Sequence, residues 1–136
     1  MTDGYTWKTP CSSVLRSLVI SPEGEIRICC GMIEQALPEL SYGLFGSRAL
    51  TQILCEANCD LLANWLALEG PYGLMQYVKS KAPDLMFQDQ YVNHCHLCKD
   101  LLMRKEVRFI LKSCDEEKSD AISLKRSLLE AVRNEQ

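Results

Sequence analysis

No apolar run in this 136-residue chain approaches the ~20 residues that a membrane-crossing helix needs, so no such span is expected. The opening Met1-Thr2-Asp3-Gly4-Tyr5 lacks the basic and apolar regions of a signal peptide. Charge of one sign is not in surplus either. Lysine and arginine number 15 against 18 acidic residues, a net −3, which is no electrostatic footprint for nucleic acid or an anionic membrane. Internal repeats and low-complexity tracts are missing. A hydrophobic share of 47% beside 24% charge excludes a disordered chain. The length predicts one domain, since ~100–200 residues usually make one. What remains is a globular domain expected in the cytoplasm, where thiols stay reduced.

Cysteine is what the sequence has in quantity. Eight of them make up about 6% of the chain, above ordinary usage but below the density of a small disulfide scaffold. In a reducing compartment such a count asks for an explanation other than disulfides, and metal is the first to test.

Patterning predicts an α+β fold with helix dominant. Val14, Leu15, Leu18, Val19 and Ile20 lead into Ser21-Pro22-Glu23-Gly24, and Ile26-Arg27-Ile28 alternates on the way out, which reads as an N-terminal β-hairpin. Proline second and glycine fourth suit a type I turn. Residues 31–46 read as irregular. Ser47 is the expected N-cap of a helix to about Glu56, with Leu50, Ile53 and Leu54 as its apolar stripe. A second helix is expected from Asp60 to Gly70, and a third from Pro71, ended by Lys79-Ser80-Lys81-Ala82-Pro83. One longer helix is predicted over about His96 to Ser113, with Met103, Val107, Ile110, Leu111 and Cys114 on its buried face. After a solvated linker over 115–120, a last helix from Ala121 to about Arg133 is expected to pack Leu124, Leu128, Ala131 and Val132. The expected division is a metal-binding domain over 1–114, followed by the linker and amphipathic helix over 115–136.

This framework sorts the cysteines. Cys11 falls just before the first strand and Cys29 at the end of the second, so the hairpin brings them together. Cys95 and Cys98 form Cys-His-Leu-Cys at a helix start, where free N–H groups and the positive dipole end favour thiolates. Together the four make a complete thiolate shell, suited to zinc or to an iron–sulfur cluster. Structural zinc sites mostly use two Cys-x-x-Cys knuckles, and only one is present here. The alternative is four thiols packed as small apolar residues. Cys55 and Cys59 stand four apart, but position 62 is Leu62, so the Cys-x-x-x-Cys-x-x-Cys run of a radical-generating cluster is incomplete. Core packing is expected for both, and for Cys114. Cys30 follows Cys29 directly; adjacent strand residues point to opposite faces, so it stands as an alternative ligand only if the strand bends. His94 and His96 flank Cys95 and are expected beside the metal shell or at the surface, as alternative ligands at most.

Cys11, twelve residues, Gly24, four residues and Cys29 resemble the opening signature of SPASM and twitch domains, the auxiliary iron–sulfur domains of many radical SAM enzymes. Gly43-Leu44-Phe45-Gly46-Ser47, the stretch from Leu61 to Pro71, and Tyr91 with His94-Cys95-His96-Leu97-Cys98 extend the resemblance over roughly Pro10 to Leu102. A full SPASM domain carries further cysteines after its Cys-x-x-Cys. Here only Cys114 follows, so the match is to the single-cluster twitch arrangement. The resemblance implies one [4Fe-4S] cluster on Cys11, Cys29, Cys95 and Cys98, for electron transfer or substrate positioning. It implies as partners a separate radical SAM core protein and its substrate, with neither nucleic acid nor membrane involved.

The radical SAM core itself is absent: the chain has no room for a barrel of ~200 residues or more. It is therefore not expected to be an enzyme by itself, but a detached domain, a subunit of a split enzyme, or a relative reused for another task. The alternative function is a zinc-stabilised, four-cysteine interaction domain with no redox role. A thiol redox protein using Cys95 and Cys98 is a third reading, lacking the βαβ context that thioredoxin-type sites have.

Overall fold

The computed structural model describes residues 6–29 and 40–135. Strands β1 (Val19–Ile20) and β2 (Glu25–Arg27) pair antiparallel, with Val19 opposite Arg27 and Ile20 opposite Ile26. Gly24 closes their connection by donating its N–H to the Ser21 carbonyl at 2.9 Å, and takes a φ of +86°, which favours glycine. The hairpin is shorter than its apolar run, because the main chain before it turns. The N–H groups of Arg16 and Ser17 both donate to the Ser13 carbonyl, and Leu15 sits at φ +63°.

A third strand, β3 (Ser41–Leu44), lies against β2, giving the order β1-β2-β3. Residues 41–44 were expected to be irregular. Only Tyr42 of the strand is buried, so an apolar alternation long enough to read does not exist; pairing with the open edge of β2 makes the strand. Residues 31–39 lie outside the described residues.

Six helices follow: α1 (Leu50–Cys59), α2 (Leu61–Leu68), α3 (Gly70–Lys81), α4 (His94–Leu102), α5 (Lys105–Lys112) and α6 (Glu116–Asn134). The expected α+β class is thus found, with the small sheet N-terminal to the helices. Asp60 caps α2 by accepting from the Ala63 N–H at 2.8 Å, and Pro71 opens α3 where its missing N–H costs nothing. No helix among the described residues is long and apolar enough to cross a membrane.

Four helix expectations need correction. Ser47 does not cap α1; its hydroxyl donates to the Leu44 carbonyl at 2.6 Å and finishes the strand instead. The inward face of α1 carries Ile53 and Ala57, while Leu50 and Leu54 are exposed. The single helix over 96–113 is broken into α4 and α5. Arg104 takes an extended ψ of 125°, and its guanidinium is drawn out of line to Asp100 and to the Met86 carbonyl at 2.7 Å. The break also turns Met103 outward. Finally, residues 116–120 are the first turn of α6, capped by Asp115, which accepts from the Lys118 N–H at 2.9 Å. The buried residue of α6 is Ile122, and Leu124 and Leu128 are 61% and 58% exposed.

The core lies where the helices meet. Trp65 is its largest fully buried side chain, joined by Ile53, Leu74, Leu97, Leu101, Val107 and Ile122. Loss of an aromatic of this size typically costs about 3–5 kcal/mol. Glu69, between α2 and α3, accepts from Trp65 Nε1 at 3.0 Å and from Lys118 at 2.9 Å, and Lys125 joins them. That cluster holds α6 against α2.

Candidate metal centre

The four cysteines expected to act together come from three places in this fold. Cys11 follows the short 3₁₀ turn Thr6–Lys8, whose Trp7 is buried between Tyr72 at 5.5 Å and Tyr91 at 5.4 Å. The Cys11 N–H donates to the Leu66 carbonyl at 2.9 Å, which anchors it to the end of α2. The hairpin alone therefore does not place Cys11, as the sequence had implied; α2 does. The approach is close. A Cβ on Gly70, which sits at φ +71°, would fall on the Thr9 carbonyl oxygen and within 3.0 Å of Pro10 Cα.

Cys29 lies just past β2, where the neighbouring Ile28 is buried and donates to the Leu40 carbonyl. Cys95 and Cys98 lie in the first half of α4. The start of that helix is fixed by Asn93, whose side-chain oxygen accepts from the His96 N–H at 2.9 Å. Cys98 belongs to the buried core, and Cys11, Cys29 and Cys95 pack against that core half-buried.

Electrostatics ties the four together. Burial pushes the Cys98 thiol far up from its ordinary value, and charge on Cys29, Cys11 and Cys95 pushes it further. All three thiols thus act on Cys98 electrostatically. The helix N-terminus was expected to favour the Cys98 thiolate, and the buried surroundings outweigh it. The four share one neighbourhood without a bonded arrangement: among the described residues, no three of the His, Cys, Asp and Glu side chains are grouped to hold a metal ion. The donor set fits a soft metal in its chemistry, three thiols acting on a fourth, buried one, with no carboxylate among the groups that shift Cys98.

The sequence left the flanking residues open. His96 is engaged locally: its Nδ1 accepts from the Val92 N–H at 3.4 Å, and its ring packs edge-on to Tyr91 at 5.2 Å. His94 is half-buried. Cys30 lies outside the described residues. Cys114 is half-buried against the core, as expected. Cys55 and Cys59 are not: both are exposed, on the side of α1 away from Ile53 and Ala57. Core packing is therefore wrong for this pair. An i, i+4 spacing put them on one face, but nothing in the sequence told which face was buried.

Tyr91 was named from the sequence only as part of a motif, and its role was missed. Its hydroxyl donates to Asp100 Oδ2 at 2.6 Å and accepts from the Gln88 N–H at 3.2 Å. Burial and then the Asp100 hydrogen bond push this phenol up to about 12. Arg104 completes the bracket on Asp100, so the segment before α4 is tied to the helix that carries Cys95 and Cys98. No protein-family model, no curated protein and no solved structure matches the chain.

Proposed function

We propose that this chain is an iron–sulfur accessory domain in which Cys11, Cys29, Cys95 and Cys98 hold one [4Fe-4S] cluster, working beside a separate radical SAM core protein. The observation that carries the reading is that three thiols, Cys11, Cys29 and Cys95, from segments up to 87 positions from Cys98, pack against the core and push the buried Cys98 thiol up electrostatically. Free cysteines favour the interior singly, but four sulfurs in one neighbourhood is a donor set for soft metals. Such a cluster, when bound, supplies one-electron transfer at a low-dielectric site. Four thiolates fill its ligand positions, which leaves electron transfer or structural support in place of substrate ligation.

The protein's own contribution is placement. The Cys11–Leu66 backbone bond holds one arm, the Asn93 cap and the Tyr91–Asp100–Arg104 bracket orient α4, and the core around Leu97 and Leu101 keeps bulk water from Cys98. Ligand binding in such a site contributes folding energy.

Anaerobic reconstitution with iron and sulfide tests the proposal. The expected product is brown, with about four irons and four sulfides per chain, as a single cubane requires. Alanine at Cys11, Cys29, Cys95 or Cys98 should each abolish the colour, and alanine at Cys55 or Cys59 should leave it. A colourless protein that takes stoichiometric zinc and no iron would replace this reading with that of a zinc-stabilised interaction domain.

A further inference from the structure

Beside Cys11, the turn over residues 13–17, α2 and α6 line a cleft of about 400 Å³. That volume is within the range of small-molecule sites. Three guanidinium groups line it: Arg16 from the turn, and Arg126 and Arg133 from α6. Among the described residues one carboxylate does, Glu130, and it accepts from Arg126 Nε at 2.9 Å. Three cations against one anion leave the lining with two surplus positive charges, in a chain whose net charge is −3. Arginines gathered against the sign of the whole molecule are an anion-recognition feature.

The backbone supplies an independent observation. Leu15 is the one non-glycine among the described residues with a positive φ, +63°. For a leucine that conformation is strained, because its Cβ crowds the following carbonyl oxygen. It is held by the paired bonds from Arg16 and Ser17 to the Ser13 carbonyl, 3.1 and 2.9 Å. The result is that Leu15 and Arg16, adjacent in sequence, both line the cleft. Backbone strain of this kind concentrates where a side chain has to be aimed at a ligand.

The walls also have an apolar part, from Val14, Leu15 and Leu129. We propose that this cleft binds a small organic oxyanion with an aliphatic body, its acid group on Arg16 and Arg133 and its chain along Leu15 and Leu129. Guanidinium forks match the oxygens of carboxylate and phosphate alike, so the headgroup is either of these. The inference goes beyond the iron–sulfur reading and does not rest on it: Cys11 lines one edge of the cleft, but the proposed contacts are made by Arg16, Arg133, Leu15 and Leu129.

Calorimetric titration of the whole chain with hexanoate and with hexyl phosphate tests it, with hexanol as the uncharged control. One or both anions should bind and hexanol should not; the tighter anion identifies the headgroup. Arg16→Ala and Arg133→Ala remove exposed side chains, so both variants should fold as the parent does, and each should weaken binding about tenfold. Arg48→Ala, which removes an arginine paired with Glu56 outside the cleft, should change nothing. Absence of heat with both anions up to about 10 mM would overturn the proposal, that being weaker than any specific site. So would equal binding of hexanol, or affinity unchanged in both cleft variants. Failure of iron uptake would leave this result standing, so the two readings are separable.

Discussion

The Tyr91 hydroxyl donates to the Asp100 carboxylate at 2.6 Å, and Arg104 grips that carboxylate through both of its oxygens from the next turn. The bracket spans the whole of α4's first two turns, where Cys95 and Cys98 sit. It converts a side-chain hydrogen bond into control of where two sulfurs point.

Tyr91→Phe should therefore cost stability and site integrity together. A hydrogen bond to a charged group contributes about 1.5–3 kcal/mol, and Asp100 would lose one of its partners. Urea unfolding should show a midpoint lowered by that order. A reconstituted cluster should bleach faster in air than in the parent protein. An unchanged midpoint would mean that Arg104 alone positions α4.

Gly70→Ala attacks the other arm. A methyl group there meets the Thr9 carbonyl and Pro10 Cα while the backbone stays at φ +71°. The two effects together should cost about 2–4 kcal/mol. Because Thr9 and Pro10 precede Cys11, relief of the clash must move Cys11 away from Leu66. Iron content after reconstitution should fall even at temperatures where circular dichroism reports a folded chain. Gly24→Ala is the matched control: a methyl there meets nothing within 4 Å, so strain alone is felt, far from α2.

Among the described cysteines, Cys55 and Cys59 should be the first to react with iodoacetamide under native conditions. Both are exposed, whereas Cys98 is buried with its thiol held protonated. Mass mapping after brief labelling should find Cys55 and Cys59 modified and Cys98 unmodified. Serine at either exposed position should shift stability by less than about 0.5 kcal/mol, as surface changes do.

The sequence made the hairpin turn and the starts of α2 and α3 legible to within a residue, because each depends on a local residue with one preferred geometry: Gly24, Asp60 and Pro71. It misread what is set at long range. Arg104 breaks a helix that periodicity runs straight through, since its partners Asp100 and Met86 are met only in the folded chain. The face of α6 turned to α2 carries the buried Ile122 and the partly exposed lysines that reach Glu69, and not the leucine stripe; a salt-bridged face carries no hydrophobic signature. Spacing named Cys11, Cys29, Cys95 and Cys98 as candidate ligands, and the anchoring of Cys11 was not legible. It depends on a backbone bond to Leu66, 55 positions away, that no side-chain pattern encodes.

Glu69 gives the fold its acid sensitivity. Burial on its own pushes this carboxyl up, but the hydrogen bonds and charges of Lys125 and Lys118 prevail and hold it below its ordinary 4.5. A carboxylate with a depressed value in the folded state contributes stability above the unfolded value and loses it as pH falls through the folded one. The attachment of α6 to α2 should thus be complete at neutral pH and weaken below about pH 4.5. Glu69→Gln keeps an acceptor for Trp65 but abolishes the charge. At pH 7 it should be less stable than the parent by about 1–2 kcal/mol, a value reduced by the partial exposure of both lysines. At pH 3 the difference should shrink, because the parent's own carboxyl is then protonating. Urea midpoints of the two proteins across this range would measure it, with α6 followed by hydrogen exchange. A gap that stayed constant with pH would assign the loss to packing around Trp65 and not to the charge on Glu69.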